Sequence, residues 1–385
     1  MNDFLMKTYN RKSASFVKGE GIYLWDDKGK KYIDALCGLA VTALGHAHPT
    51  ISNILKQQSE TLIHTSNAFH IKPQEELAQK LCALSEMDKA FFCNSGAEAV
   101  ETSIKIAKKY GNEKNIKNPK IIVMENSFHG RTIGALSATG EKAQEGFYPL
   151  LNGFIRAPYN NIKVIEKLLL EHDDIVAILL EPIQGEGGII IPDKGYLKNI
   201  RKICNDSNLL FMIDEVQSGL CRTGKWFAFQ HDQIIPDVVM IAKALGNGVP
   251  IGACLAKNFA ADILTPGTHG STFGGNFLST RVGLAVIDTM QRESMDKHVK
   301  EIGEYFATQL QEKISNKKTV QEVRNKGLMI GIELANECTN LAEKALQYGL
   351  IINVTKDNVI RMLPPLIINK TQINDIILIL EKLID

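Results

Sequence analysis

Between residues 90 and 256 the chain carries six short, nearly uninterrupted apolar runs, at 90–93, 120–124, 175–180, 209–213, 237–242 and 251–256. A strand with one face in water alternates polar and apolar side chains, whereas a run that is apolar throughout needs cover on both faces. Stretches with helical spacing separate the runs. Ala97, Val100, Ile104 and Ala107 share one face of 96–110, and Tyr196, Ile200 and Ile203 share a face further on. Covered strands alternating with helices predict a mostly parallel sheet in a three-layer α/β domain. Residues 16–36 read instead as a hairpin, with Gly29 available for a positive φ. After about residue 285 the pattern lengthens into helices, then strands at 328–334 and 359–363, which predicts a second, α+β unit.

Composition narrows the partners. At 385 residues the chain can bury a large core and divides into about two domains. Forty-four basic against 43 acidic side chains give a net charge of +1, with no basic excess for nucleic acid or an acidic membrane. Seven scattered cysteines without a Cys-x-x-Cys pair predict reduced thiols rather than a disulfide framework or a zinc site. His46-x-His48 lacks a third ligand, so no metal is expected. The opening residues 1–7 have an early acid and no apolar core of a leader, and no apolar run approaches the ~18 residues of a membrane span. A soluble, cytoplasmic protein is the expectation. Gly185-Glu-Gly-Gly188 is not a dinucleotide fingerprint and no P-loop occurs, which argues against an oxidoreductase of that kind and an NTPase.

In open α/β sheets ligands sit beyond the carboxyl ends of the strands, so the residues that follow each run matter most. Ser95-Gly96-Ala97-Glu98 reads as a helix cap, and the amides of Gly96 and Ala97 are also placed to hold a phosphate. Asp214 closes a run of apolar residues where a carboxylate is expensive to bury. A cap or an ion pair would account for it, and so would a cationic ring nitrogen of a cofactor. Lys243 either snorkels at a strand end or, if desolvated, becomes a nucleophilic amine able to form a Schiff base. In Ser127-Phe-His-Gly-Arg131 the ring of Phe128 could stack on a cofactor and Arg131 could fork a carboxylate. The loop Gly270-Ser-Thr-Phe-Gly-Gly275 is either a plain turn or a phosphate cradle.

Taken in order, Ser95-Gly-Ala-Glu98, Phe128-His-Gly-Arg-Thr132, Glu181-Pro-Ile-Gln-Gly-Glu-Gly187, Asp214-Glu-Val-Gln217, the Lys243 loop and Gly270-Ser-Thr-Phe-Gly-Gly-Asn276 resemble the class III, fold-type I aminotransferases that use pyridoxal 5′-phosphate. The likeness runs from Gly21 to Pro365. It implies a large domain with a mostly parallel seven-stranded sheet between helices, over 61–280. A smaller α+β domain would combine 281–385 with the N-terminal segment 1–60. It also implies that Lys243 holds the cofactor and shuttles a proton, and that Asp214 pairs with the pyridine nitrogen. Gln217 would meet the ring hydroxyl, and Phe128 and Val216 would flank the ring. Ser95, Gly96 and Ala97 would bind the phosphate, joined by Thr272 from a second subunit of an obligate homodimer. Arg131 would bind one α-carboxylate and Arg361 another, with Glu186 masking Arg361 when the reacting amine is terminal. Leu39 and Ser271 would border the substrate.

Within the class the resemblance is strongest to acetylornithine-type transaminases, through Thr8-Tyr-Asn-Arg11, Leu44-Gly-His-Ala-His-Pro49, Asn353-Val-Thr355 and Ile360-Arg-Met-Leu-Pro-Pro365. Leu39 stands where ornithine transaminases carry a tyrosine, which suits an acylated amine. N-acetylornithine and 2-oxoglutarate are then the expected substrates, in arginine biosynthesis, with succinyldiaminopimelate, succinylornithine or ornithine as alternative donors. Phe277 and Asn247, which flank the cofactor loops, and Cys221, which stands where glycine is common, depart from the family pattern without removing a group the chemistry needs.

Overall fold

The computed structural model describes residues 4–384; residues 1–3, which open the segment read for a leader, and Asp385 lie outside the described residues. Near the N-terminus β1 (Phe16–Glu20), β2 (Tyr23–Asp26) and β3 (Lys31–Asp34) form an antiparallel meander. Its second turn is built as the residues predict. Asp26 Oδ1 accepts from the amides of Lys28 and Lys30 (3.0 and 2.8 Å), and Gly29 takes φ 79°.

The central sheet consists of β4 (Lys89–Cys93), β5 (Lys120–Met124), β6 (Phe154–Ala157), β7 (Ile175–Leu180), β8 (Leu210–Asp214), β9 (Val238–Ile241) and β10 (Gly252–Ala256). They are ordered β4-β10-β9-β8-β7-β5-β6, which gives the expected seven strands. The strands pair in parallel except β10, which runs against both β4 and β9. Every residue of β10 is buried, as in β7, β8 and β9. Uninterrupted apolar sequence therefore reports cover on two faces and says nothing about strand direction. The seventh strand, β6, escapes the apolar pattern for a related reason. It lies at the sheet edge, mostly half-buried, and its Arg156 reaches the carbonyls of Ser137 and Thr139 at 3.0 and 2.9 Å.

A third sheet, ordered β11-β12-β15-β14, joins β11 (Val320–Lys326), β12 (Met329–Leu334), β14 (Asn353–Thr355) and β15 (Val359–Met362). The short β13 (Leu350–Ile351) leaves this region to pair in parallel with β3. The N-terminal meander thus docks on the C-terminal part of the chain, a partner that its local pattern does not reveal. The amides of Leu363 and Leu366 extend the seam by bonding the carbonyls of Ala35 and Ala43, each at 2.7 Å. One apolar core runs through all of this, with Ile178, Phe211 and Ile241 of the central sheet and Ile330, Ile360 and Ile376 of the C-terminal part fully buried in one cluster. At about 1.5–3 kcal/mol for each buried aliphatic side chain, that continuity fixes β15 against the central sheet, and with it the position of Arg361.

Candidate active site

β4, β5, β7, β8 and β9 run the same way, so the segments that follow them converge at one end of the sheet. There a cavity of 450 Å³ is lined by Ser95, Gly96 and Ala97 after β4, Phe128 to Arg131 after β5, Asp214, Val216 and Gln217 after β8, and Lys243 after β9. Residues 119 or more apart in sequence, Asp214 and Ser95 among them, meet only because the parallel strands end together.

The 18-residue helix Gly96–Glu113 starts at the cavity. Ser95 Oγ accepts from the Glu98 amide at 3.2 Å, the first half of the predicted capping box. The second half is shifted by one residue, since Glu98 Oε2 accepts from the amide of Asn94 at 2.7 Å and from Ser95 Oγ at 3.1 Å. Glu98 is thereby occupied, and the first-turn amides of Gly96 and Ala97, which no helix can satisfy internally, face the cavity. A Cβ added at Gly96 would lie 2.8 Å from Val216 Cγ1, so glycine is what allows the helix end and the Val216 loop to close on each other.

Asp214 is 5% exposed at the end of β8. Its Oδ1 accepts from the Val216 amide at 3.0 Å and its Oδ2 lies 2.8 Å from His129 Nδ1. The bland reading of Asp214, a local cap and an ion pair, is therefore real, yet each oxygen keeps a lone pair and the residue lines the cavity. His129 is fully buried and its Nε2 has no hydrogen-bond partner among the described residues. Two further carboxylates sit beneath. Glu181 receives the amides of Phe128 (3.0 Å) and Gly185 (3.1 Å), and Glu215 receives Ser218 Oγ (2.5 Å) and the Phe229 amide (2.9 Å). Burial pushes both up to about 7, with the charge of Asp214 adding to the rise.

Lys243 follows β9 with φ 46°, a left-handed conformation that turns the side chain back into the cavity. Burial lowers its pKa below the ordinary lysine value and the Arg361 cation pushes the same way, against Glu186, Asp214 and Glu181. The desolvated-amine reading of Lys243 thus has its physical cause. Asn247, the departure in the glycine run, also has a job. Its side chain accepts from the Leu44 amide (2.8 Å) and donates to the Gly45 carbonyl (3.2 Å), which ties the lysine loop to the N-terminal segment. Phe277 begins the helix Phe277–Arg292 behind the Asn276 cap, and Cys221 is buried with φ 68°.

Arg361 lies on β15, 1% exposed, with Nη1 2.7 Å from Glu186 Oε1 and Nε 3.0 Å from Asn353 Oδ1. Thr355 Oγ1 donates to the Glu186 carbonyl at 2.5 Å and anchors the glutamate's backbone. Arg131 is exposed at the cavity rim, its guanidinium 5.6 Å from the centre of the Phe128 ring. Not every expected residue lines the cavity: Glu186 and Arg361 stand outside its lining, though their charges act on Lys243. Leu39 (φ 68°) is half-buried and outside this lining, where Val41 is found instead. Ser271 stands one step back, its Oγ accepting from Asn94 Nδ2 (3.2 Å) and the Gly274 amide (3.1 Å). Thr272 is exposed and does not line the cavity of its own chain.

His129, Glu181 and Glu215 are absent from the residue-by-residue reading. Glu181 and Glu215 carried the signal that singled out Asp214, a carboxylate at the end of an apolar run. His129 had none, because nothing in the spacing links it to a carboxylate 85 residues away.

The cavity fits pyridoxal 5′-phosphate on three features of the chain itself. Exposed helix-start amides meet a phosphate, a buried carboxylate meets a ring nitrogen, and Gln217 Oε1, buried without a partner, meets a ring hydroxyl.

Comparison with known proteins agrees with this geometry. The family model described as aminotransferase class-III matches residues 6–384. An acetylornithine aminotransferase of Nitrosomonas europaea is 48% identical over 381 residues, covering 99% of this chain and 97% of that protein. The solved acetylornithine aminotransferase of Elizabethkingia anophelis superposes with a TM-score of 0.88 at 37% identity, covering 98% of this chain and 95% of its own. The ornithine aminotransferase of Toxoplasma gondii, in a structure with PLP partly occupying the active site, gives 0.94 at 32% identity over 99% of this chain and 92% of that one.

Proposed function

Because the chain belongs to the class-III aminotransferases, pyridoxal-phosphate enzymes, we propose that it carries the terminal amino group of N2-acetyl-L-ornithine to 2-oxoglutarate. The products are N-acetyl-L-glutamate 5-semialdehyde and L-glutamate, in arginine biosynthesis. Full-length likeness to the Nitrosomonas europaea acetylornithine aminotransferase is the observation that carries this reading.

When bound, the cofactor supplies a ring that takes up the electron pair left on the substrate carbon. The chain supplies the rest. Lys243 Nζ, whose pKa burial lowers, would hold the cofactor and then move the proton at the carbon bearing the reacting amine. Asp214, oriented by His129 and the Val216 amide, keeps the ring nitrogen protonated. Gln217 accepts from the ring hydroxyl, and Phe128 and Val216 flank the ring. The amides of Gly96 and Ala97, with Ser95, bind the phosphate. Arg131 receives the α-carboxylate of the acylated donor while Glu186 covers Arg361, and the pair opens for 2-oxoglutarate. Ser271 and Leu39 act from behind this shell.

The exposed Thr272 completes the phosphate site of a second copy, so the working form is a homodimer with its sites at the interface. The large domain is 61–280, and 1–60 joins 281–385. No helix of the described residues is long and apolar enough to cross a membrane; a cytoplasmic location is part of the same proposal.

Mixing the yellow holoenzyme separately with N-acetylornithine, N-succinylornithine, succinyldiaminopimelate, ornithine and 4-aminobutyrate tests the donor. Fastest bleaching by N-acetylornithine is expected. Faster bleaching by another donor would move the enzyme within its class.

A further inference from the structure

A second cavity, of 620 Å³, shares no lining residue with the one that holds Lys243. Three elements close around it: the loop 223–225, the helix Met295–Lys313 and the turn between β11 and β12. Lys225, Lys297, Lys300 and Lys326 all border it, against only Asp296 and Glu304. None of the four lysines makes an ion pair among the described residues, although elsewhere on this surface lysines such as Lys18 and Lys120 do. With four lysines bordering the cavity against two acids, an unpaired excess of two positive charges is the arrangement that an anion relieves.

The potential of this cluster is felt by its neighbour. His231, on the same wall, lies with Nε2 3.0 Å from Thr223 Oγ1 and 3.1 Å from the Thr223 carbonyl. Its pKa is pushed down to about 4, by burial first and then by Lys326, with Lys225 adding to the fall.

The walls are preformed. Gly327 (φ 56°) sits where a Cβ would be 2.6 Å from the Thr223 carbonyl carbon, and a Cβ on Gly303 would be 2.8 Å from Gly327. Three backbones therefore meet at contact distance, and a bond from the Leu328 amide to the Arg222 carbonyl (3.0 Å) locks two of them. Walls fixed in this way need no backbone ordering on binding.

We propose that this cavity is a binding site for a compact polyanion, a small molecule with two or more phosphoryl or carboxylate charges. A cavity of 620 Å³ has room for a small molecule of this kind.

Titration calorimetry of the holoenzyme with inorganic pyrophosphate and with citrate tests the site and separates the two chemistries, since whichever binds more tightly names the class. Saturable binding of one ion per chain is expected, undisturbed by saturating 2-oxoglutarate. The double substitution Lys300→Gln with Lys326→Gln removes the two ammonium groups from facing walls and should weaken binding about tenfold, while turnover stays at the parental rate. The proposal is overturned if neither ion binds saturably, if the double variant binds as tightly as the parent, or if 2-oxoglutarate displaces the ion, which would place it at the substrate arginines instead.

Discussion

Substituting Glu186→Gln tests whether this residue gates Arg361 or only packs against it. The glutamate is about one-third exposed and the arginine it covers is 1% exposed, so their contact at 2.7 Å is half-wet rather than sealed. A hydrogen bond to a charged group contributes about 1.5–3 kcal/mol, and water access to Glu186 favours the lower part of that range, about 1.5–2 kcal/mol. Asn353 still holds Arg361 Nε at 3.0 Å after the change, so the guanidinium keeps its orientation and loses only its competitor. A donor that presents an α-carboxylate to Arg361 no longer has to displace an anion, and it gains what the pair had withheld. With about 1.4 kcal/mol per factor of ten, the kcat/KM ratio for glutamate over N-acetylornithine should rise about 10–30-fold. Rapid mixing of the yellow enzyme with each donor, followed as loss of the cofactor band, gives both constants directly. A ratio unchanged within twofold would refute the gate, and equal falls for the two donors would assign Glu186 a packing role only.

Lys243→Ala should abolish both transamination and the yellow band while leaving the thermal midpoint close to the parent; normal turnover would remove the lysine from the chemistry. Glu215, raised to about 7 from an ordinary 4.5, holds a proton in the folded chain that the unfolded chain releases. Its stabilising contribution is complete below about 4.5 and is lost as pH rises towards 7. Holoenzyme melting curves of Glu215→Gln should therefore gain on the parent between pH 5 and pH 8, and parallel profiles would contradict the assignment. Asn247→Gly keeps the left-handed backbone at φ 44° but strips two hydrogen bonds and strands the buried Leu44 amide. A loss of about 1–3 kcal/mol in denaturant unfolding is expected, and no loss would mean that water replaces the side chain.

The sheet was legible because cover on both faces leaves a mark in composition. Each of the six apolar runs overlaps a strand from β4 to β10, with ends displaced by no more than a residue or so. What composition cannot encode is direction, hence the surprise of antiparallel β10, or an edge, hence the silence of β6. The docking of β3 on β13 was equally unreadable, because its information lies in a contact more than 300 residues long in sequence. At the site, residues that end strands were found and residues that act through another side chain were not. Ser95, Asp214 and Lys243 each stand where a run stops. The Glu186–Arg361 pair has no local signature in either residue and became visible only through ordered motifs spanning the whole chain.

The three carboxylates under the cavity differ in how their oxygens are occupied. Asp214, Glu215 and Glu181 end two neighbouring strands, and three like charges in a medium of low polarity would not all ionise cheaply. The fold sorts them by partner. Glu181 and Glu215 are pushed up to about 7 and at neutral pH hold protons part of the time, their oxygens taken by the amides of Phe128, Gly185 and Phe229 and by Ser218. Asp214 alone adds a buried imidazole and still faces the cavity. Glu181 has a second effect, because its two amide partners belong to the loop that carries Phe128 and Arg131 and to the loop that carries Glu186. One buried carboxyl thus ties the loop of Phe128 and Arg131 to the loop of Glu186. The two buried acids beneath this sheet end act as fasteners between the loops around the cavity, and Asp214 is the carboxylate that faces it.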